Sequence, residues 1–86
     1  MDQGTFDDFG FFLLNQQLTR SVAEVTVIYD NGTAVAGIPA GNIEVGQGGT
    51  SVTLLLHTGT MSRLNFSAIS MITVRLKDGT VRAFGG

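Results

Sequence analysis

The sequence predicts a mainly β domain, a small and strongly bent antiparallel barrel with one α-helix at its N-terminus. Three observations predict it. Apolar residues alternate at period two in short runs from about residue 22 onward, the signature of half-buried strands. Asn31-Gly32 and Asp78-Gly79 separate such runs, and these dipeptides supply the positive φ angles of tight hairpin turns. One stretch, residues 6–19, lacks the alternation and begins with helix-start chemistry instead.

In chain order, Thr5-Phe-Asp-Asp8 has the spacing of a capping box, and Asp7 and Asp8 in a first turn complement the helix dipole. A helix over residues 6–19 places Phe9, Phe12, Leu13 and Gln16 on one side and Phe11, Leu14 and Leu18 on another. Such a wide apolar arc suits a helix that covers a barrel end. In the first strand Val25, Val27 and Tyr29 share a face, and the turn at Asn31-Gly32 reverses the chain. Gly37, Pro39 and Gly41 then mark a bend or bulge in the returning strand, because proline must sit where no ladder donor is needed.

The segment Gly46-Gln-Gly-Gly-Thr-Ser51 reads as a flexible loop. After it, residues 51–57 form a strand with Val52, Leu54 and Leu56 inward, and Thr58-Gly59-Thr60 turns it. Residues 63–66 form a short strand with Leu64 and Phe66 inward. Residues 67–70 turn tightly, and residues 71–76 alternate again through Ile72, Val74 and Leu76. Residues 77–86 add a C-terminal hairpin arm. All 86 residues are expected to form one domain, with barrel strands over about 22–76.

Composition narrows the function classes. Hydrophobic residues make up 43% and charged residues only 14%, against roughly 25% charged in an average soluble domain. So little charge cannot coat the surface of a chain this small, so the chain either stays poorly soluble or hides apolar surface against copies of itself, and oligomerisation is the favoured expectation. Charge is also uneven along the chain. Asp2, Asp7, Asp8, Glu24, Asp30 and Glu44 against Arg20 give residues 1–62 a net −5, while Arg63, Arg75, Lys77 and Arg82 against Asp78 give residues 63–86 a net +3. That polarity can orient one subunit against the next, or offer a basic surface to a polyanion.

No chemistry-bearing constellation is present. Cysteine is absent and His57 stands alone, so neither a disulfide framework nor a zinc site of histidines and thiolates can form. Residues 46–51 lack the Gly-Lys-Ser/Thr element of a phosphate loop. Asp7 and Asp8, the one adjacent carboxylate pair, are explained by helix-end electrostatics. The expectation is a non-enzyme without cofactor or metal. The opening residues lack a signal peptide's basic region and cleavage site, and the apolar run over residues 9–14 is too short to span a bilayer. A cytoplasmic protein without a membrane partner is therefore expected.

Beyond these readings, the order of elements and three short segments resemble the Sm/LSm-like family, most closely its bacterial Hfq-type RNA chaperones. The segments are Phe12-Leu-Leu-Asn15, Asp30-Asn-Gly32 with Gly37 five residues on, and Ala68-Ile-Ser70, and the resemblance covers about residues 9–76. It implies a five-stranded SH3-like (Sm-like) barrel and a homomeric ring of six or seven subunits, in which the fourth strand of one subunit pairs with the fifth of the next. Carried onto this sequence, Arg63, Leu64 and Phe66 would meet Met71, Ile72, Thr73, Val74 and Arg75 of the neighbour. Position in that fold also assigns Gln47, Thr50, Arg63, Asn65 and Ser67 to a pore or face where single-stranded RNA binds. The bacterial family's Tyr-Lys-His is replaced here by Asn65, Phe66 and Ser67. Two functions are thereby expected in order: a ring-forming RNA-binding protein, or a structural ring or connector module, as in phage assemblies, that binds no nucleic acid.

Overall fold

The computed structural model describes residues 1–46 and 51–85, with the backbone alone for residues 17–19. It shows a mainly β chain: helix α1 (Gln3–Thr19), then β1 (Val22–Tyr29), β2 (Ala34–Pro39), β3 (Ile43–Val45), β4 (Val52–Leu55), β5 (Met61–Arg63), β6 (Ile69–Leu76) and β7 (Val81–Gly85). Two antiparallel sheets result, one ordered β2-β1-β6-β7 and the other β3-β4-β5.

The helix starts earlier than the capping box predicts. Asp2 is the cap: its carboxylate accepts a 2.7 Å hydrogen bond from the Thr5 amide, one of the donors a helix start leaves unpaired. Asp2-x-x-Thr5 competes with Thr5-x-x-Asp8 and admits one more turn. Phe6, Phe9 and Leu13 are buried and Phe12 partly so, while Phe11 remains 52% exposed, so the narrower stripe at i, i+3 and i+7 is the one that packs. α1 touches β1 and β7 of the larger sheet and β3 of the smaller, which puts it across the opening between them.

The turns fall where the dipeptides indicate, but glycine alone takes the positive φ: Asn31 and Asp78 do not, so neither turn has the two positive φ angles of type I′. Gly32, Gly59 and Gly79 take φ of 87°, 85° and 91° in the β1–β2, β4–β5 and β6–β7 turns. Asn31 and Asp78 each accept from the backbone N–H two residues on, that of Thr33 and of Thr80. Gly37, at φ 67°, sits where the β1–β2 register shifts, and its N–H reaches the Thr26 hydroxyl.

The bend is sharper than one continuous strand allows. β2 stops at Pro39, which has no N–H, and a 3-10 turn (Ala40–Asn42) separates it from β3 in the second sheet. Asn42 anchors this corner by donating to the Leu55 carbonyl at 3.1 Å. In place of the expected five strands of one closed barrel, seven strands lie in two sheets, and among the described residues no ladder closes them into a barrel. One core nevertheless runs through both, from Val25, Val27, Ile72 and Val74 to Ile43, Val52 and Leu54.

Two strand expectations also change. β6 begins at Ile69, and Phe66 lies in a 3-10 turn (Phe66–Ala68) in place of a strand. More consequential is β7, which pairs with residues 71–75 of β6 while β1 occupies the other side. The edge expected to receive a neighbouring subunit at Met71, Ile72, Thr73, Val74 and Arg75 is filled by the chain's own last strand. Leu64, Ile72 and Val74 are buried within the single chain, so association is not what buries them. Arg75 is paired with Glu24, its cross-strand partner on β1, at 3.1 Å.

Candidate functional site

The β4–β5 hairpin and the 3-10 turn after it place the residues expected to meet RNA. Pairing of Thr53 with Arg63 ends β5, and the Leu64 amide adds one more bond, to the Val52 carbonyl at 2.9 Å. Leu64 then turns into the core, so its neighbours Arg63 and Asn65 are thrown outward. Asn65 caps the 3-10 turn. Its side-chain oxygen accepts from the Ser67 amide at 3.2 Å and from the Ser67 hydroxyl at 2.8 Å.

Arg63 and Asn65 come together at the mouth of an open pocket of about 310 Å³, whose other walls are Ser51, Leu64, Phe6 and Phe66. Ser67 lies beside it and is turned toward Asn65. Gln47 and Thr50, the remaining members of the expected set, lie outside the described residues. Phe66 is half-buried, with its ring 5.8 Å from that of Phe6, which in turn stands 5.9 Å from Phe9. The pocket thus offers one cation, one amide already engaged with a hydroxyl, and an aromatic wall.

That wall is what sequence reasoning missed. Phe66 was expected inward at strand period, and Phe6 entered only as the first residue of a helix. The signal existed in the i, i+3 spacing of Phe6 and Phe9, but the partner across the chain depends on the 3-10 turn.

No protein-family model, no curated protein and no solved structure matches the chain.

His57 is exposed in the turn between β4 and β5. Among the described residues no three His, Asp or Glu side chains converge as metal ligands. No helix is long and apolar enough to cross a membrane. Two carboxyls are held below their ordinary range. Asp2 is lowered first by the Thr5 backbone N–H and then by the Thr5 side chain; Asp78 is lowered first by the Thr80 side chain and then by its N–H. Both serve turns or caps, and neither lines the pocket.

Proposed function

We propose that the chain is a ring-forming binding module of Sm-like type, and that the Arg63, Asn65 and Phe66 pocket takes single-stranded RNA. The pocket carries the reading. The half-buried ring of Phe66, backed by the buried Phe6, can stack a base, while Arg63 meets a phosphate. Element order supports the family: β2 and β3 serve as two halves of one bent strand, so β6-β1-β2/β3-β4-β5 follows the path of a five-stranded SH3-like barrel opened at one seam.

In this reading copies join through open edges. Among the described residues β5 has a partner on one side only and β7 is a terminal strand of the other sheet, so β5 of one subunit pairs with β7 of the next and leaves β6 undisturbed. Light scattering after size exclusion is expected to give a mass of six or seven times 9.1 kDa. A monomer at micromolar concentration overturns the ring.

Fluorescence anisotropy with short U-rich and A-rich RNAs tests the ligand. Binding is expected to weaken as salt rises, and Arg63→Gln is expected to reduce both affinity and salt slope. The connector reading draws on the two hydrogen bonds that Ser67 donates to the Asn65 side-chain oxygen, which engage that acceptor within the turn and leave Arg63 as the pocket's cation. It predicts an intact ring with no RNA binding at either salt concentration.

A further inference from the structure

At the far end of α1 from its Asp2 cap lies a second trench. The helix ends with Arg20 in the left-handed region at φ 57°, a conformation that a residue with a side chain adopts only when its surroundings hold it there. Two bonds hold it: the Ser21 amide donates back to the Gln16 carbonyl at 3.0 Å, and the Lys77 amide donates to the Ser21 carbonyl at 2.8 Å. The second bond clamps residues that are 56 positions apart in sequence and brings Arg20 and Lys77 to one place.

Both cations line two open cavities, one of about 410 Å³ and one of about 340 Å³. The first has an apolar floor of Val22, Ala40 and Ile43. The second is walled by Leu76, Ser21 and Asp78. Among the described residues the ion pair formed is Arg75 with Glu24, and neither Arg20 nor Lys77 takes part in one. Arg20 complements the negative end of α1, but that explains nothing of Lys77, which sits on a different element.

We infer that this trench binds a small ligand with one anionic head and an apolar body, a carboxylate held by Arg20 and Lys77 with its hydrocarbon part against Val22 and Ile43. The volume lies within the roughly 300–1,000 Å³ of small-molecule sites, and an Arg fork accepts a carboxylate through two parallel hydrogen bonds. Asp78 sets the selectivity. Its carboxylate, which accepts from the Thr80 amide, stands at a wall of the second cavity, so a polyanion running through both cavities would meet a like charge while a single head group need not. The inference is independent of the RNA reading.

Amide-resolved NMR titration of the intact chain tests it, with N-acetyl-leucine, a short peptide ending in leucine with a free carboxylate, octanoate, N-acetyl-leucinamide and inorganic phosphate as probes. Shifts are expected at residues 20–22, 40–43 and 76–78 with the carboxylates, and not with the amide. The peptide binding as well as N-acetyl-leucine would identify a polypeptide C-terminus as the occupant, and octanoate alone would identify a small fatty carboxylate. Arg20→Gln combined with Lys77→Gln should weaken binding by roughly tenfold or more, as loss of charge-assisted hydrogen bonds does, with the remaining spectrum unchanged. Equal binding of the amide, equally strong shifts with phosphate, or shifts outside these three segments would overturn the inference.

Discussion

The two sheets differ in what they are built to do. In the larger, β1 and β6 are eight residues each and lie side by side at the centre, with Val25, Val27, Ile72 and Val74 fully buried beneath them. In the smaller, β3 and β5 are three residues each and β4 is four, yet Arg63 at the end of this sheet lines the candidate pocket. Short strands make few ladder bonds, and binding surfaces are commonly drawn from the less stable parts of a fold. The division teaches that one sheet supplies rigidity and the other presents side chains. Hydrogen exchange should accordingly be slowest in β1 and β6 and faster in β4 and β5.

The harshest way to break this division is a proline in the larger sheet. Thr73 pairs with Thr26 on one side and Ala83 on the other, so Thr73→Pro removes a ladder donor and forces the ring of the imino acid between two strands. Circular dichroism should show an unfolded chain. A folded Thr73→Pro would mean that β6 is not the central support.

Within the smaller sheet's end, Phe66→Ala is the matching probe. Full burial would make the loss ~3–5 kcal/mol; with the ring half-buried and the Phe6 contact removed, about 1–3 kcal/mol is expected from denaturant unfolding. Under the proposed function, RNA affinity should fall at the same time. A loss of stability without a loss of binding would assign Phe66 to packing alone.

How much was legible follows the same boundary. Turns written by a dipeptide, Asn31-Gly32 and Asp78-Gly79, could be read because positive φ is a local demand. The kink at Gly37 to Gly41 was legible as a kink for the same reason, but whether it bends one strand or divides it between two sheets depends on pairing partners far away in sequence. The docking of β7 on β6 was partly visible in the Asp-Gly turn. Its consequence, a filled edge at residues 71–75, appears only once both neighbours of β6 are known. At the candidate site Arg63 and Asn65 were legible by position, whereas Phe6 joins them through a contact between residues 60 apart in sequence, which no local pattern contains.

The helix cap gives a smaller effect with a definite pH sign. Because the Asp2 carboxyl is lowered in the folded chain by hydrogen bonds from Thr5, its stabilisation is present above the ordinary carboxylate range and is lost as pH falls through the lowered value. Asp2→Ala should therefore lower the thermal midpoint at neutral pH, and the difference from the parent chain should close in strong acid. Asp78 acts with the same sign at the β6–β7 turn. If the gap between Asp2→Ala and the parent stays constant across acid pH, the charge of Asp2 is not what caps α1.

The smallest expected effect tests the surface of the larger sheet. Glu24 and Arg75 stand directly opposite on β1 and β6, 3.1 Å apart, with side chains 37% and 48% exposed. Solvent screens such a pair, so its contribution should be about 0.2–1 kcal/mol. Arg75→Glu places two carboxylates opposite each other and should cost a similar amount, more at low salt than at high, because like charges across a ladder repel. Adding Glu24→Arg restores opposite signs with the strands exchanged. The double variant should recover most of the stability if the pair acts through charge. Its failure to recover, measured as a coupling energy in a double-mutant cycle, would show that the aliphatic stems of the two side chains covering β1 and β6 matter more than their charges. Arg75 would then support the rigid sheet by coverage, and under the proposed ring its reversal should leave the assembly's mass unchanged, since its charge is already answered inside the chain.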